Sequence, residues 1–269
     1  PKATIIAGAT DVGLWVTKFM RPISPAVFIG HLDALKDITT TADTLTIGAG
    51  ATYSETESAF AAAYPHLAEF WSRIAGWQVR NMGTVGGNVA NGSPIGDTPP
   101  VLIALRARVH LRKDGAKRDM PIEDFFIDYG KQDREAGDFV EKLTIPLAKS
   151  GDLHAAYKIS KRRDEDISSV CAAFNVTVEN GKITAACVAF GGMAATPKRA
   201  ANAEAALVGN AFTVDTFTNA AKALADDFKP LSDWRASSEY RLKVAQNLFT
   251  RFYLEHSETT APVRLMAGE

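Results

Sequence analysis

Residues 83–97 read Gly83-Thr84-Val85-Gly86-Gly87-Asn88-Val89-Ala90-Asn91-Gly92-Ser93-Pro94-Ile95-Gly96-Asp97, directly after Val79-Arg80-Asn81-Met82. A backbone this bare of side chains lets main-chain N–H groups close on a phosphate or a flat heterocycle. Thr84, Asn88, Ser93 and Asp97 add small polar groups able to bond phosphate oxygens, sugar hydroxyls or ring heteroatoms. The interposed Val85, Val89 and Ile95 set the run apart from a plain surface loop. It matches neither GxGxxG nor a Walker loop. A second glycine-bearing stretch, Ile5-Ile6-Ala7-Gly8-Ala9-Thr10-Asp11-Val12, stands near the start of the chain. Two such stretches point to one extended cofactor held at two places.

Other chemistries find little support. The histidines (His31, His66, His110, His154, His256) are scattered and fall in no HxxxH or HExxH spacing, so no metal site is expected. There is no GxSxG elbow. Cys171 and Cys187 cannot hold an iron–sulfur cluster, which needs about four thiolates, and read as buried thiols rather than a disulfide. With no hydrolytic constellation, an organic cofactor is expected to carry the hard chemistry. Lys158-Ile159-Ser160-Lys161-Arg162-Arg163-Asp164-Glu165-Asp166-Ile167 sets four bases before three acids. By composition that is a solvated hairpin tip with weak local ion pairs; its functional alternative is a charged lid over a redox cofactor.

The 269 residues are enough for one large or two ordinary domains, with 46% hydrophobic and 23% charged residues. A formal net charge of −1 gives no footprint for nucleic acid or an anionic membrane. No membrane span and no secretory signal are visible, which reads as cytoplasmic. Pro1 falls at the approach to a strand, so the chain is expected to be a fragment or one half of a cleaved product.

The elements that must position these residues are legible from pattern. Thr4–Ala7 and Ala26–Ile29 read as strands around a short helix at Asp11–Phe19, and Ile38–Thr41 with Thr44–Ile47 as a hairpin. Helices are expected at Thr52–Tyr64, Pro65–Trp77 and Thr98–Leu105, with the glycine-rich run as a loop before the last. Ala107–Arg112 and Lys117–Met120 flank an Asp114-Gly115 turn, a short helix follows at Pro121–Phe126, and Asp138–Ile145 is a strand. From about Gly151 three strands (His154–Ile159, Val170–Val178, Ile183–Phe190) precede helices at Ala200–Leu207, Val214–Leu224 and Ser238–Glu255. The absence of a strict βαβ period favours α+β. The expected division is residues 1–148, residues 152–256 and a tail at 257–269.

Ala7-Gly8-Ala9-Thr10-Asp11, Gln78-Val79-Arg80-Asn81-Met82-Gly83-Thr84-Val85-Gly86-Gly87-Asn88 and Ser93-Pro94-Ile95-Gly96-Asp97 resemble the flavin-binding domain of the molybdenum hydroxylases. Xanthine dehydrogenase, aldehyde oxidase and aerobic carbon monoxide dehydrogenase belong to that family. The resemblance implies an α+β, PCMH (vanillyl-alcohol-oxidase) type FAD-binding domain at 1–148. After it would come a small α+β domain with a three-stranded antiparallel sheet and helices, as in the carbon monoxide dehydrogenase flavoprotein. Within the family, Arg162-Arg163-Asp164-Glu165-Asp166-Ile167, Gly191-Gly192-Met193-Ala194 and Ser232-Asp233-Trp234-Arg235-Ala236-Ser237-Ser238-Glu239-Tyr240-Arg241 are most similar to the small subunit of bacterial xanthine dehydrogenases.

By that resemblance, Ile5, Ile6, Ala7, Gly8, Ala9, Thr10, Asp11 and Val12 would wrap the FAD pyrophosphate. Thr84, Val85, Gly86, Gly87 and Asn88 would form a second phosphate clamp, and Asp97 would bind another polar part of the cofactor. Ile74 stands where several relatives set an aromatic ring against the isoalloxazine; an aliphatic residue covers the ring without stacking on it. Val140 would pack near the other side of the ring, Lys158 would contact the flavin, and Ile159–Ile167 would be the loop beside the ring, which turns the charge run into a functional loop. No residue is expected to act as a general base. Partners implied are a molybdopterin-binding large subunit, two [2Fe-2S] domains on a missing N-terminal part, and NAD+. Rival readings are the flavoprotein of a carbon monoxide dehydrogenase, aldehyde oxidase or hydroxybenzoyl-CoA reductase, and a flavin-free scaffold.

Overall fold

The structure is a computed structural model and describes residues 3–257; the tail expected at 257–269 therefore lies, beyond Ser257, outside the described residues. The chain begins with β1 (Thr4–Ile6), α1 (Val12–Thr17) and β2 (Ala26–Phe28), the two strands pairing in parallel. The β-branched hairpin forms as β3 (Ile38–Thr40) and β4 (Thr44–Gly48). Thr52 then opens α2 (Tyr53–Ala63) with a capping box: its hydroxyl accepts the Glu55 N–H while the Glu55 carboxylate accepts the Thr52 N–H.

The single helix expected over 65–77 is broken. A 3-10 turn at Pro65–Leu67 leads into α3 (Ala68–Ser72), and α4 (Trp77–Arg80) follows a kink. At the kink Ala75 takes a left-handed φ of 60° and Gly76 is extended, which no helix tolerates. The glycine-rich run is not a loop throughout either. Val85–Asn91 is helical (α5), opened by the Thr84 hydroxyl, which accepts the Gly87 N–H at 3.0 Å, and closed by Gly92 at φ 63°. α6 (Thr98–Ala104) follows, and every one of its residues is buried.

The remaining elements of this part are β5 (Arg108–Lys113), β6 (Ala116–Pro121), α7 (Ile122–Phe125), the small β7–β8 pair (Phe126–Asp128, Lys131–Gln132) and β9 (Phe139–Pro146). The returning β9 inserts between β4 and β5, giving an antiparallel sheet of order β3-β4-β9-β5-β6. The second part is a meander of β10 (Asp152–Ile159), β11 (Val170–Glu179) and β12 (Lys182–Gly191). A fourth, two-residue strand, β13 (Lys198–Arg199), extends the expected three-stranded sheet at the β12 edge. Helices α8 (Ala201–Leu207), α9 (Val214–Asp227) and α10 (Ser238–His256) complete it.

Strand alternation couples the two parts. Along β11, Ala172, Phe174 and Val176 point into an aromatic core with Phe190, Phe249 and Phe252. Cys171 and Ala173 point the other way, into the core that holds Leu45, Ile47, Trp71 and α6. Both sheet faces are thus covered, and α6, apolar all round, is wedged between sheet and first core. Asp97, the residue before α6, is held at that junction.

Candidate functional site

The two glycine-bearing segments meet. A Cβ built on Gly8 would lie 1.6 Å from the Met82 carbonyl oxygen, and one on Gly83 would lie 3.3 Å from Thr10 Oγ1. Only glycine lets the backbone at position 8 come this close. Ala9 turns the chain with a left-handed φ of 57°. The N–H groups of Gly8, Ala9, Thr10, Asp11 and Val12 donate no hydrogen bond among the described residues; the first donor past the turn is Gly13, to the Ala9 carbonyl at 2.7 Å. A succession of open amides around a left-handed residue is an anion-binding concavity.

The Thr84–Asn88 segment contributes differently from the row of open amides expected there. The Val85 N–H goes to Ala51 O at 3.0 Å, Gly86 to Ala49 O at 3.2 Å, Gly87 to the Thr84 hydroxyl and Asn88 to Thr84 O at 3.0 Å. Gly86 is required for this docking, because a Cβ there would fall 2.3 Å from the Ala49 Cβ. What the segment leaves over is the buried side-chain oxygen of Asn88, which has no hydrogen-bond partner. A buried polar atom without a partner is costly unless a ligand satisfies it. Open amides on one side and an orphaned acceptor on the other fit a phosphate-bearing cofactor with polar groups elsewhere along its length.

Asp97 and Lys158 are brought together, with each other. Lys158 Nζ donates to Asp97 Oδ2 at 2.6 Å, and the side chains are 2% and 9% exposed. Ser168 completes the group, accepting from Lys158 Nζ at 2.9 Å and donating to Asp97 Oδ1. Sequence reasoning missed Ser168; its only signal was its place just past the charge run. Ile74 and Val140 are each 4% exposed and packed into the larger core, so their side chains offer little open surface.

The charge run forms the irregular link between β10 and β11. Asp166 accepts from the Arg162 N–H at 2.8 Å and its guanidinium at 3.1 Å, bonds that hold its carboxyl down at about 2. The link reaches over the kink that carries Ile74: Arg73 donates to the Arg163 carbonyl at 3.0 Å, and the Glu165 side chain lies against Gly76. Together they frame a cleft of about 230 Å³ that includes Trp77 and Arg80. Both cysteines are free and buried. Burial pushes the Cys171 thiol up and that of Cys187 up to about 12, so neither is a thiolate nucleophile.

This arrangement is that of a flavoprotein component, and the chain belongs to the family described as the FAD binding domain in molybdopterin dehydrogenase, which matches residues 1–148. Residues 155–256 match the CO dehydrogenase flavoprotein C-terminal domain. The chain is 32% identical to a nicotinate hydroxylase of Emericella nidulans over 94% of its own length, but spans only 20% of that protein. It is 29% identical to the xanthine dehydrogenase FAD-binding subunit of Escherichia coli O157:H7, covering 92% of this chain and 86% of that one. The solved carbon monoxide dehydrogenase of Hydrogenophaga pseudoflava superposes with a TM-score of 0.87 at 28% identity, over 93% of this chain and 87% of that one.

Proposed function

We propose that the chain is the FAD-binding electron-transfer component of a xanthine dehydrogenase. The observation that carries the cofactor assignment is the run of open amides Gly8–Val12 set against Met82–Gly83. Those amides would hold the pyrophosphate, and Asn88 would take a hydrogen bond from another part of the cofactor. Ile74 and Val140 would form the apolar floor near the ring, and Asp97 with Lys158 would fix a polar edge. When bound, FAD would supply the two-electron chemistry that links [2Fe-2S] clusters on another part of the enzyme to NAD+. This chain's residues would bind, orient and screen. Hydroxylation of hypoxanthine or xanthine would occur at a molybdopterin centre on a large subunit, so no general base is needed here.

The coverage of the E. coli xanthine dehydrogenase subunit supports the purine reading. The likeness to the nicotinate hydroxylase keeps a second one: the same component in a molybdenum hydroxylase acting on another heterocycle. Purification of the chain tests the cofactor, which should be retained or taken up with yellow absorbance and released as FAD on denaturation. A colourless chain that takes up no added FAD would favour the flavin-free scaffold. Turnover of the assembled complex on xanthine and on nicotinate, with NAD+ as acceptor, separates the two substrate readings.

A further inference from the structure

Ser168 is 1% exposed and uses its hydroxyl twice. It donates to Asp97 Oδ1 and accepts from Lys158 Nζ at 2.9 Å. Lys158 Nζ reaches the other oxygen, Asp97 Oδ2, at 2.6 Å, so the two carboxylate oxygens are satisfied by two different side chains. An ammonium carries three N–H groups. Among the described residues, Lys158 spends two of them, on Asp97 and Ser168, and the third has no partner. We propose that Ser168 is a positioning residue: by satisfying the second oxygen of Asp97, it keeps the third N–H of Lys158 unspent for the polar edge of the bound flavin, and so raises the flavin's reduction potential. This inference rests on the cofactor proposed above. An unfilled polar site lies beside the trio. Asp97 follows Gly96, and a Cβ built on Gly96 would stand 3.4 Å from the Asn88 side-chain oxygen, the buried acceptor without a partner. An unspent donor on Lys158 and an orphaned acceptor on Asn88 thus flank the same Gly96-Asp97 step. The polar edge of an isoalloxazine carries both carbonyl oxygens and an N–H, so it can answer both. Without the Ser168 hydroxyl, Asp97 Oδ1 is a buried carboxylate oxygen with no side-chain donor, a costly state. The cation beside it is the Lys158 ammonium, and turning that group to hold both oxygens uses the N–H left for the ligand. A cationic donor at the ring edge favours the more negative form of the flavin, which is the reduced one. Ser168 is itself uncharged, so it acts only through Lys158 and Asp97.

The test uses the whole chain loaded with FAD, reduced at equilibrium against a dye of known potential. Ser168→Ala should lower the preference for reduced over oxidised FAD roughly tenfold, the weight of one charge-assisted hydrogen bond. For a two-electron couple that is a fall of about 30 mV in the midpoint. Ser168→Thr, which restores the hydroxyl, should keep the parent's midpoint. Ser168→Cys keeps the volume with only a weak donor; it should shift the midpoint in the same direction as alanine, which keeps the test open where Ser168→Ala fails to fold. A hydroxyl with a purely structural role would move the melting temperature and weaken oxidised and reduced FAD alike. An unchanged midpoint in the flavin-loaded alanine or cysteine variant would therefore overturn the inference and leave the FAD function standing. A midpoint that falls as far in Ser168→Thr as in Ser168→Ala would also overturn it, by making packing the cause. A parent chain that takes up no FAD fails the proposed function itself, and this inference with it.

Discussion

Replacing Lys158 by methionine keeps the length of the side chain and removes its charge. The Asp97 carboxylate is then left 9% exposed, at the buried N-terminus of α6, with only the Ser168 hydroxyl donating to it from a side chain. Removing one partner of a buried ion pair costs about 3–5 kcal/mol, because the surviving charge keeps its desolvation penalty. An unfolding entropy of about 2.1 cal/mol/K per residue over 269 residues amounts to about 0.56 kcal/mol/K. Lys158→Met should therefore lower the Tm of the flavin-free protein by about 5–9 °C in calorimetry at neutral pH. The double variant Lys158→Met with Asp97→Leu removes both charges and should recover most of that loss, since a buried pair is often replaceable by apolar groups. The two variants also separate structure from cofactor binding. If Asp97 contacts FAD, the double variant melts near the parent yet retains less flavin; if the pair is purely a strut, flavin retention returns with stability. A flavin-free Lys158→Met protein that melts with the parent would refute the buried-pair argument itself.

Asn88→Ala removes an atom that has no partner within the protein, so the flavin-free chain should melt within about 1 kcal/mol of the parent while FAD dissociates more readily, read by fluorescence titration. Gly8→Ala drives a methyl into the Met82 carbonyl and should abolish flavin retention, measured as the flavin-to-protein absorbance ratio. Gly86→Ala should cost about 1–3 kcal/mol in urea unfolding by overpacking Ala49. His154 is buried, and that burial with His66 nearby pulls its pKa down to about 4. The unfolded chain takes up this proton first, so the contribution is intact above about pH 6.5 and falls away as the pH drops toward 4. The loss reaches about 3 kcal/mol; His154→Asn should flatten the urea-midpoint profile over that window, and an unchanged profile would exclude His154 as its source.

Local signals were strong where they were chemical and short in range. The β-branched hairpin of Ile38–Thr41 with Thr44–Ile47 and the Asp114-Gly115 turn can each be read from a few adjacent residues. The break at Ala75-Gly76 was not legible, because the apolar period of 65–77 continues through it while the need to seat Ile74 in the core arises only in the folded chain. The helicity of Val85–Asn91 was hidden for a related reason. Glycine's low helix propensity argues for a loop, but Gly86 must be small to sit on Ala49, and the resulting contacts outweigh the propensity.

The same tertiary logic decides which residues at the site can be read directly. Gly8 announces itself, since a backbone that must touch Met82 excludes every other residue. Asp97, Lys158 and Ser168 do not, because a carboxylate 61 positions from its lysine becomes a pair only when α6 is threaded against β10 and β11. That threading gives the pair its significance. It ties the segment carrying the open Gly8–Val12 amides and α5 to the sheet that carries the 160–167 link, so a cofactor held by the first would meet electrostatics set by the second. Breaking the pair by Lys158→Met alone should accordingly move stability and flavin binding together, whereas changes at Asn88 move flavin binding alone.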